Sequence, residues 1–326
     1  MSVAAHPDVV AGYRALRTAV AAHRLQRDVL SVSGPDATTY LQGQCSQDVA
    51  GLEMGGTTDA LLLSPQGKLD AFARVTRTGD DEFILDTDPG FGPVVQARLE
   101  RFRLRVKVEI EPRSWACLAV RGPEAGRTEV VSAEVAADPS VWRLPVDWPG
   151  FAGFDLMGPA AGEAGADAWV VDTVVRCGAD AFEAARIEAG LPVNGRELTE
   201  ATIAAEAGLV ERTVSFDKGC FTGQELVARL DSRGSKVARK LAGLVIGGET
   251  DAGAPPPVGA AVWTADGEHE VGHLSSVAWS PHFDAPVALA TLHRRVTPPE
   301  AVSVRWELDG TVRQMDAEAR TLPLVS

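Results

Sequence analysis

Strand-sized apolar runs closed by tight polar turns recur along almost the whole chain, and this texture limits the fold more than any single motif. Asp59–Leu63, Leu69–Thr76 and Glu82–Asp86 are divided by turns at Gly67 and at Gly79-Asp80-Asp81. Pro93 then suits the first turn of a helix reaching about Arg101. Beyond it Phe102, Leu104, Val106, Val108 and Ile110 alternate with Arg103, Arg105, Lys107 and Glu109, a period of two that predicts a strand. Turns this short force antiparallel pairing, so the strand-strand-strand-helix-strand order reads as α+β and excludes a doubly wound parallel sheet.

The flanking segments extend the pattern. An amphipathic helix with Tyr13, Leu16 and Val20 is expected through about Arg27, then a strand over Asp28–Val32 and a helix capped by Asp36 that carries Tyr40 and Leu41. A second set holds strands near 116–120, 141–145 and 153–157, with helices near 124–131, 169–175 and 179–189. From about Lys240 six short strands follow between Gly, Pro and Asp turns, the spacing of a small antiparallel barrel or sandwich, with a flexible loop at 247–253.

Length and charge narrow the function. The 326 residues suffice for two or three packed units, and 45% apolar content supplies their cores. A net charge of −14 opposes loose binding to nucleic acid or anionic lipid. No apolar run reaches the length of a membrane span, and Arg14 and Arg17 interrupt any secretory signal. Cys45, Cys117, Cys177 and Cys220 form no CxxC or CxxH pair, so no zinc or iron–sulfur ligand set is expected. A cytoplasmic protein with free thiols is the expectation.

The densest chemistry lies in Phe216-Asp217-Lys218-Gly219-Cys220-Phe221-Thr222-Gly223-Gln224-Glu225. Gly219 and Gly223 bracket a thiol and permit close backbone approach, either as a tight loop against a planar or anionic ligand or as a plain turn with a buried cysteine. Lys218 favours a Cys220 thiolate if both face a cavity, and no histidine stands in a partner motif. The other three cysteines read as core. Between Glu211 and Lys240 seven cations, Arg233 and Lys236 among them, face four anions, either a solvated face or a strip suited to a chain of carboxylates.

The run Lys218 to Glu225 resembles the K-G-C-[FY]-x-G-Q-E signature of YgfZ-type folate-binding proteins, relatives of the glycine-cleavage aminomethyltransferase (T protein), at seven defined positions without a gap. Leu41-Gln42-Gly43-Gln44 with Asp48-Val49, the hairpin Leu63 to Lys68, and Arg186-Ile187-Glu188-Ala189-Gly190-Leu191-Pro192 are similar to the family's other motifs, in its order. The resemblance implies a GcvT-like fold: interleaved α+β units over about 1–112 and 113–240, with antiparallel sheets, then a C-terminal antiparallel β-barrel over 241–326. It implies a tetrahydrofolate site in a central opening, with Glu188 on the pterin's amino edge, where two parallel donors suit two carboxylate oxygens. Arg186, Lys218, Gly219, Gly223, Gln224, Glu225, Gln44 and Asp70 are its further expected folate contacts, and Cys220 its functional thiol.

One departure bears on the reaction. Ala71 and Phe72 stand where T protein places an aspartate pair, and Asp70, one residue earlier, belongs on the opposite strand face unless a bulge re-aims it. The resemblance therefore implies a tetrahydrofolate-binding accessory protein without classical turnover. Its role would be iron–sulfur cluster assembly or repair, including the radical enzymes that modify tRNA, with iron–sulfur client or assembly proteins as partners. The alternative is a folate-dependent aminomethyltransferase or other one-carbon transferase.

Overall fold

A computed structural model describes residues 6–160, 165–232, 237–247 and 255–326. In chain order the elements begin with α1 (Pro7–Thr18), β1 (Ala21–Leu25), β2 (Asp28–Ser33), α2 (Ala37–Gln44), β3 (Thr57–Leu63), β4 (Leu69–Gly79), β5 (Glu82–Thr87), α3 (Gly92–Phe102) and β6 (Glu109–Arg113). There follow β7 (Ala116–Arg121), α4 (Ala133–Ala136), β8 (Trp142–Val146), β9 (Gly153–Gly158), β10 (Val175–Arg176), α5 (Ala179–Glu188), α6 (Val210–Thr213) and α7 (Gln224–Asp231). The chain ends in β11 (Arg239–Ile246), β12 (Ala261–Thr264), β13 (Glu270–Ser280), β14 (Ala285–His293), β15 (Glu300–Leu308) and β16 (Thr311–Arg320).

These strands make two five-stranded sheets and a closed barrel. The first sheet runs β3-β4-β5-β2-β6, the second β10-β1-β7-β9-β8, and the barrel closes as β11-β14-β13-β12-β15-β16. Among the described strands only the β1–β10 pairing is parallel. The fold is α+β with a C-terminal barrel. Residues 7–25 belong to the second sheet rather than to the first, because β1 pairs with β7 and α1 packs Tyr13 and Leu16 against Ala181 and Phe182 of α5. The helix expected through Arg27 therefore stops at Thr18.

Two other local expectations fail for readable reasons. The alternating run 102–110 is not a strand: α3 takes Phe102, Leu104 is 76% exposed, and Arg105 sits at φ 58. Val108 and Ile110 are buried in the first core with Val106 packed partly against it, and β6 pairs β2 only from Glu109 onward, opposite Ser33. The helices expected near 124–131 and 169–175 are reduced to single tight turns at 128–130 and 165–169, as Val130, Trp169 and Val174 turn inward onto the second sheet.

Each unit has its own core. In the first, α2 and α3 cover one sheet face with Tyr40, Leu41, Val95 and Leu99 over Leu30, Val75 and Leu85. Val29 and Ile84 meet Cys117, Leu144 and Met157 where the two sheets face each other. Ile187 of α5 packs on Val287 and Leu289 of the barrel. Burying apolar side chains of this size stabilises by about 1.5–3 kcal/mol each, so these contacts fix the three units around a shared centre.

Candidate functional site

At that centre lies a cavity of about 260 Å³, close to the lower end of small-molecule pockets. Phe72 of β4, Trp148 after β8 and Phe182 of α5 supply aromatic wall. Beneath runs an alternating chain of charges that crosses between the sheets. Arg27 bonds Asp86 at 2.8 Å and Asp88 at 2.6 Å, Arg74 bonds Asp86 at 2.8 Å and Asp155 at 2.6 Å, and Arg121 bonds Asp155 at 2.7 Å. Asp86, Asp155, Arg74 and Arg121 are all buried. Burial alone would raise the Asp155 carboxyl, but Arg121 and Arg74 outweigh it and hold it below its usual range. Arg121 lies over Trp148 at 4.7 Å, and its Nε is a buried donor with no hydrogen-bond partner. A buried orphan donor costs about 1–3 kcal/mol.

The expected site residues divide into three places. Arg186 lines the cavity but is a brace: it bonds both Glu183 oxygens at 2.8 Å, Leu191 O and Ser276 Oγ, and pairs with Glu197 at 3.5 Å. Its donors tie α5 to β13, leaving the expected folate contact without a free N–H at those atoms. Glu188 does not line the cavity. It is wholly buried in the last turn of α5, where Oε2 accepts from the Tyr13 hydroxyl and Oε1 has no hydrogen-bond partner. Burial raises its carboxyl, against opposing effects of Ser280, Tyr13, His282 and Arg17. Glu188 thus stands outside the lining of the central cavity, with Tyr13 of α1 on its carboxylate.

The signature loop forms the third place, against the outer end of the first sheet. Lys218 donates to the carbonyls of Gln42, Cys45 and Gln47 at 2.6–2.8 Å, spending its three protons at the C-terminus of α2, where a cation suits the helix dipole. Burial lowers its ammonium and pushes the Cys45 thiol up to about 11. Gly223 stands at φ 84, where a Cβ would sit 2.6 Å from Ser64 O, and Gly67 at φ 74 would meet Leu226 at 2.5 Å. The two glycines thus let α7 press onto the β3–β4 hairpin. Gln224 turns back to accept from Phe221 N, and Gly219, Cys220 and Glu225 are exposed.

Asp70 shows the bulge. Leu62 pairs Ala71 and Leu63 pairs Leu69, leaving Asp70 as the extra residue. Its carboxylate turns to α3 and accepts from Arg98 Nε at 2.9 Å, while Arg98 also bonds Gln44 Oε1 and Leu63 O. Asp70 and Gln44 come together here, away from the central cavity. Arg233 and Lys236 of the basic run, and most of the loop 247–253, lie outside the described residues.

Composition and motif spacing did not single out Arg27, Arg74, Asp86, Asp88, Arg121 and Asp155. A signal existed: single charges at core-facing positions inside otherwise apolar strands, as in Ala71-Phe72-Ala73-Arg74-Val75. Among the described residues no group of three or more His, Cys, Asp or Glu can hold a metal, and no helix is long and apolar enough to cross a membrane.

Two sheets and a barrel around a small aromatic-walled cavity define the class: a GcvT-like binding fold. The model of the GCVT N-terminal domain matches residues 4–143, and that of the glycine cleavage T-protein C-terminal barrel domain matches 239–325. An uncharacterized protein of Haemophilus influenzae is 30% identical over 64% of this chain and 68% of its own. An aminomethyltransferase of Corynebacterium jeikeium is 25% identical over 94% of this chain and 86% of its own. The crystal structure of the glycine cleavage system aminomethyltransferase T from Bartonella henselae superposes with a TM-score of 0.81 at 23% identity, covering 97% of this chain and 89% of that one. The chain belongs to the GcvT-like folate-binding family.

Proposed function

We propose that the protein binds a reduced folate in the central cavity and acts as an accessory to iron–sulfur cluster assembly or repair, without one-carbon turnover of its own. One observation carries this reading: the cavity is kept while Asp70, the acid beside the place of T protein's aspartate pair, is bulged toward α3 and held by Arg98. A pterin is a flat, polar heterocycle, and the faces of Phe72, Trp148 and Phe182 with the orphan Nε of Arg121 suit its rings and an acceptor on them. A bound reduced folate supplies a carrier for one-carbon units. The protein's residues stack it, offer it a donor and exclude water.

Exposure of Cys220 on a glycine-bracketed loop supports a role in which a thiol meets a partner protein. Cytoplasmic iron–sulfur enzymes, including those that modify tRNA, are the proposed clients. The second reading is an aminomethyltransferase, favoured by relatives of that name aligned over most of both chains. Supplied with tetrahydrofolate and an aminomethyl donor, the purified protein is expected to form no methylenetetrahydrofolate. Formation that disappears in Asp70→Asn would establish transfer chemistry instead. In cells lacking the protein, Cys220→Ser is expected to fail to restore iron–sulfur enzyme activity, and full restoration would remove the thiol from the account.

A further inference from the structure

Where β4 runs past the end of β5, a side chain continues the sheet. The antiparallel ladder between the two strands begins at Arg74 opposite Asp86, and the same register would set Asp88 opposite Phe72. However, β5 ends at Thr87, and Asp88 opens a turn in which its carbonyl accepts from Phe91 N at 3.1 Å. The vacated rung is taken by Asn194, from the stretch between α5 and α6. Its Oδ1 accepts from Phe72 N at 2.9 Å, and its Nδ2 donates to Phe72 O and to Asp88 Oδ2 at 2.9 Å each. These partners fix the amide's orientation, because Phe72 N can only donate, whereas Phe72 O and the Asp88 carboxylate only accept.

Asn194 is itself firmly held. It is buried, its own N–H donates to Asp88 Oδ2 at 2.8 Å, and Asp88 is paired with Arg27 at 2.6 Å. Gly195 follows at φ 82 and bonds Leu198 O, closing a loop that buried Glu197 ties to Val193 N and to Ser275 and Ser276 of β13. The clamped residue faces the central cavity: Phe72 lines it, and Asn194 does not. Phe72 also stands two residues after the bulge at Asp70. A bulge bends and twists its strand, so the aim of the ring depends on what holds the backbone just beyond it.

We infer that Asn194 is a positioning residue for folate binding: its amide serves as one more rung of sheet against Phe72 and sets where that ring stands as cavity wall. This rests on the folate reading above and goes further in naming what aims the wall. Tetrahydrofolate affinity, measured by calorimetry in Asn194→Asp and in the unaltered protein, tests it. At pH 7.5 the new carboxylate cannot donate to Phe72 O and faces Asp88, which Arg27 pairs and on which Arg186 acts from farther off. Binding is then expected to be about tenfold weaker than in the unaltered protein. Near pH 5 the buried carboxyl beside Asp88 regains a proton to donate, and the difference should shrink to within about threefold. In a Phe72→Ala background Asn194→Asp should cost less than about twofold, since the ring it aims is gone. Amide exchange at Phe72 in the unaltered protein needs no variant to fold, and it should be as slow as at Arg74 in the ladder. Unchanged affinity in Asn194→Asp, a loss that is equal at both pH values or additive with Phe72→Ala, or a fast-exchanging Phe72 amide overturns the inference and leaves the folate reading standing. No binding of tetrahydrofolate by the unaltered protein overturns the folate reading and the inference with it.

Discussion

Glu188 has no exposure to solvent, one oxygen on Tyr13 and the other unbonded, so its ionisation is opposed inside the fold. An acid whose folded pKa lies above its unfolded one, about 4.3, holds its proton more tightly when folded. The stabilisation is complete below that unfolded value and is lost as pH rises through the raised folded one. Glu188→Gln keeps an acceptor for Tyr13 and removes the charge. Its melting temperature should equal or exceed that of the unaltered protein at pH 8, with a flatter pH profile above pH 4.5. A lower, equally pH-dependent melting temperature would show that the carboxylate is needed as an anion.

Among the elements, β4 carries most of the consequence. Its bulge at Asp70 sends one carboxylate to α3, and two residues after Phe72 its Arg74 enters the charge chain between the sheets. Arg74→Met leaves Asp86 and Asp155 each short of a buried partner, and such losses cost about 3–5 kcal/mol. Urea denaturation should show a loss of that size, and a loss below about 1 kcal/mol would mean that the remaining arginines re-pair the chain. The strand texture made the sheets and barrel legible because turn residues and apolar runs act locally. The run 102–110 misled because its alternation lies across a helix end and a left-handed Arg105, where tertiary contacts of Val108 and Ile110 decide the path. The signature loop was legible as a tight loop. Its partner was not, since only the folded chain shows Lys218 spent on α2 and Gly223 against the hairpin.

At the scale of the molecule, three units that fold around their own cores leave a small gap where they meet, and the gap is polar on one side and aromatic on the other. The motif residues mostly build this frame: Arg186 joins α5 to the barrel, Glu188 seats α1, and Gly67 and Gly223 seat α7. The residues facing the gap come from unremarkable stretches of strand and loop, which is why spacing alone did not mark them. The affinity for tetrahydrofolate of Trp148→Ala and of Glu188→Gln, measured side by side by calorimetry, separates frame from site. Loss of the Trp148 ring should weaken binding by about tenfold or more, the scale of one aromatic contact of about 1–1.5 kcal/mol plus lost burial. Glu188→Gln should bind within about twofold of the unaltered protein. The reverse pattern, with Trp148→Ala binding normally and Glu188→Gln not at all, would place the ligand elsewhere and contradict a folate site between the two sheets.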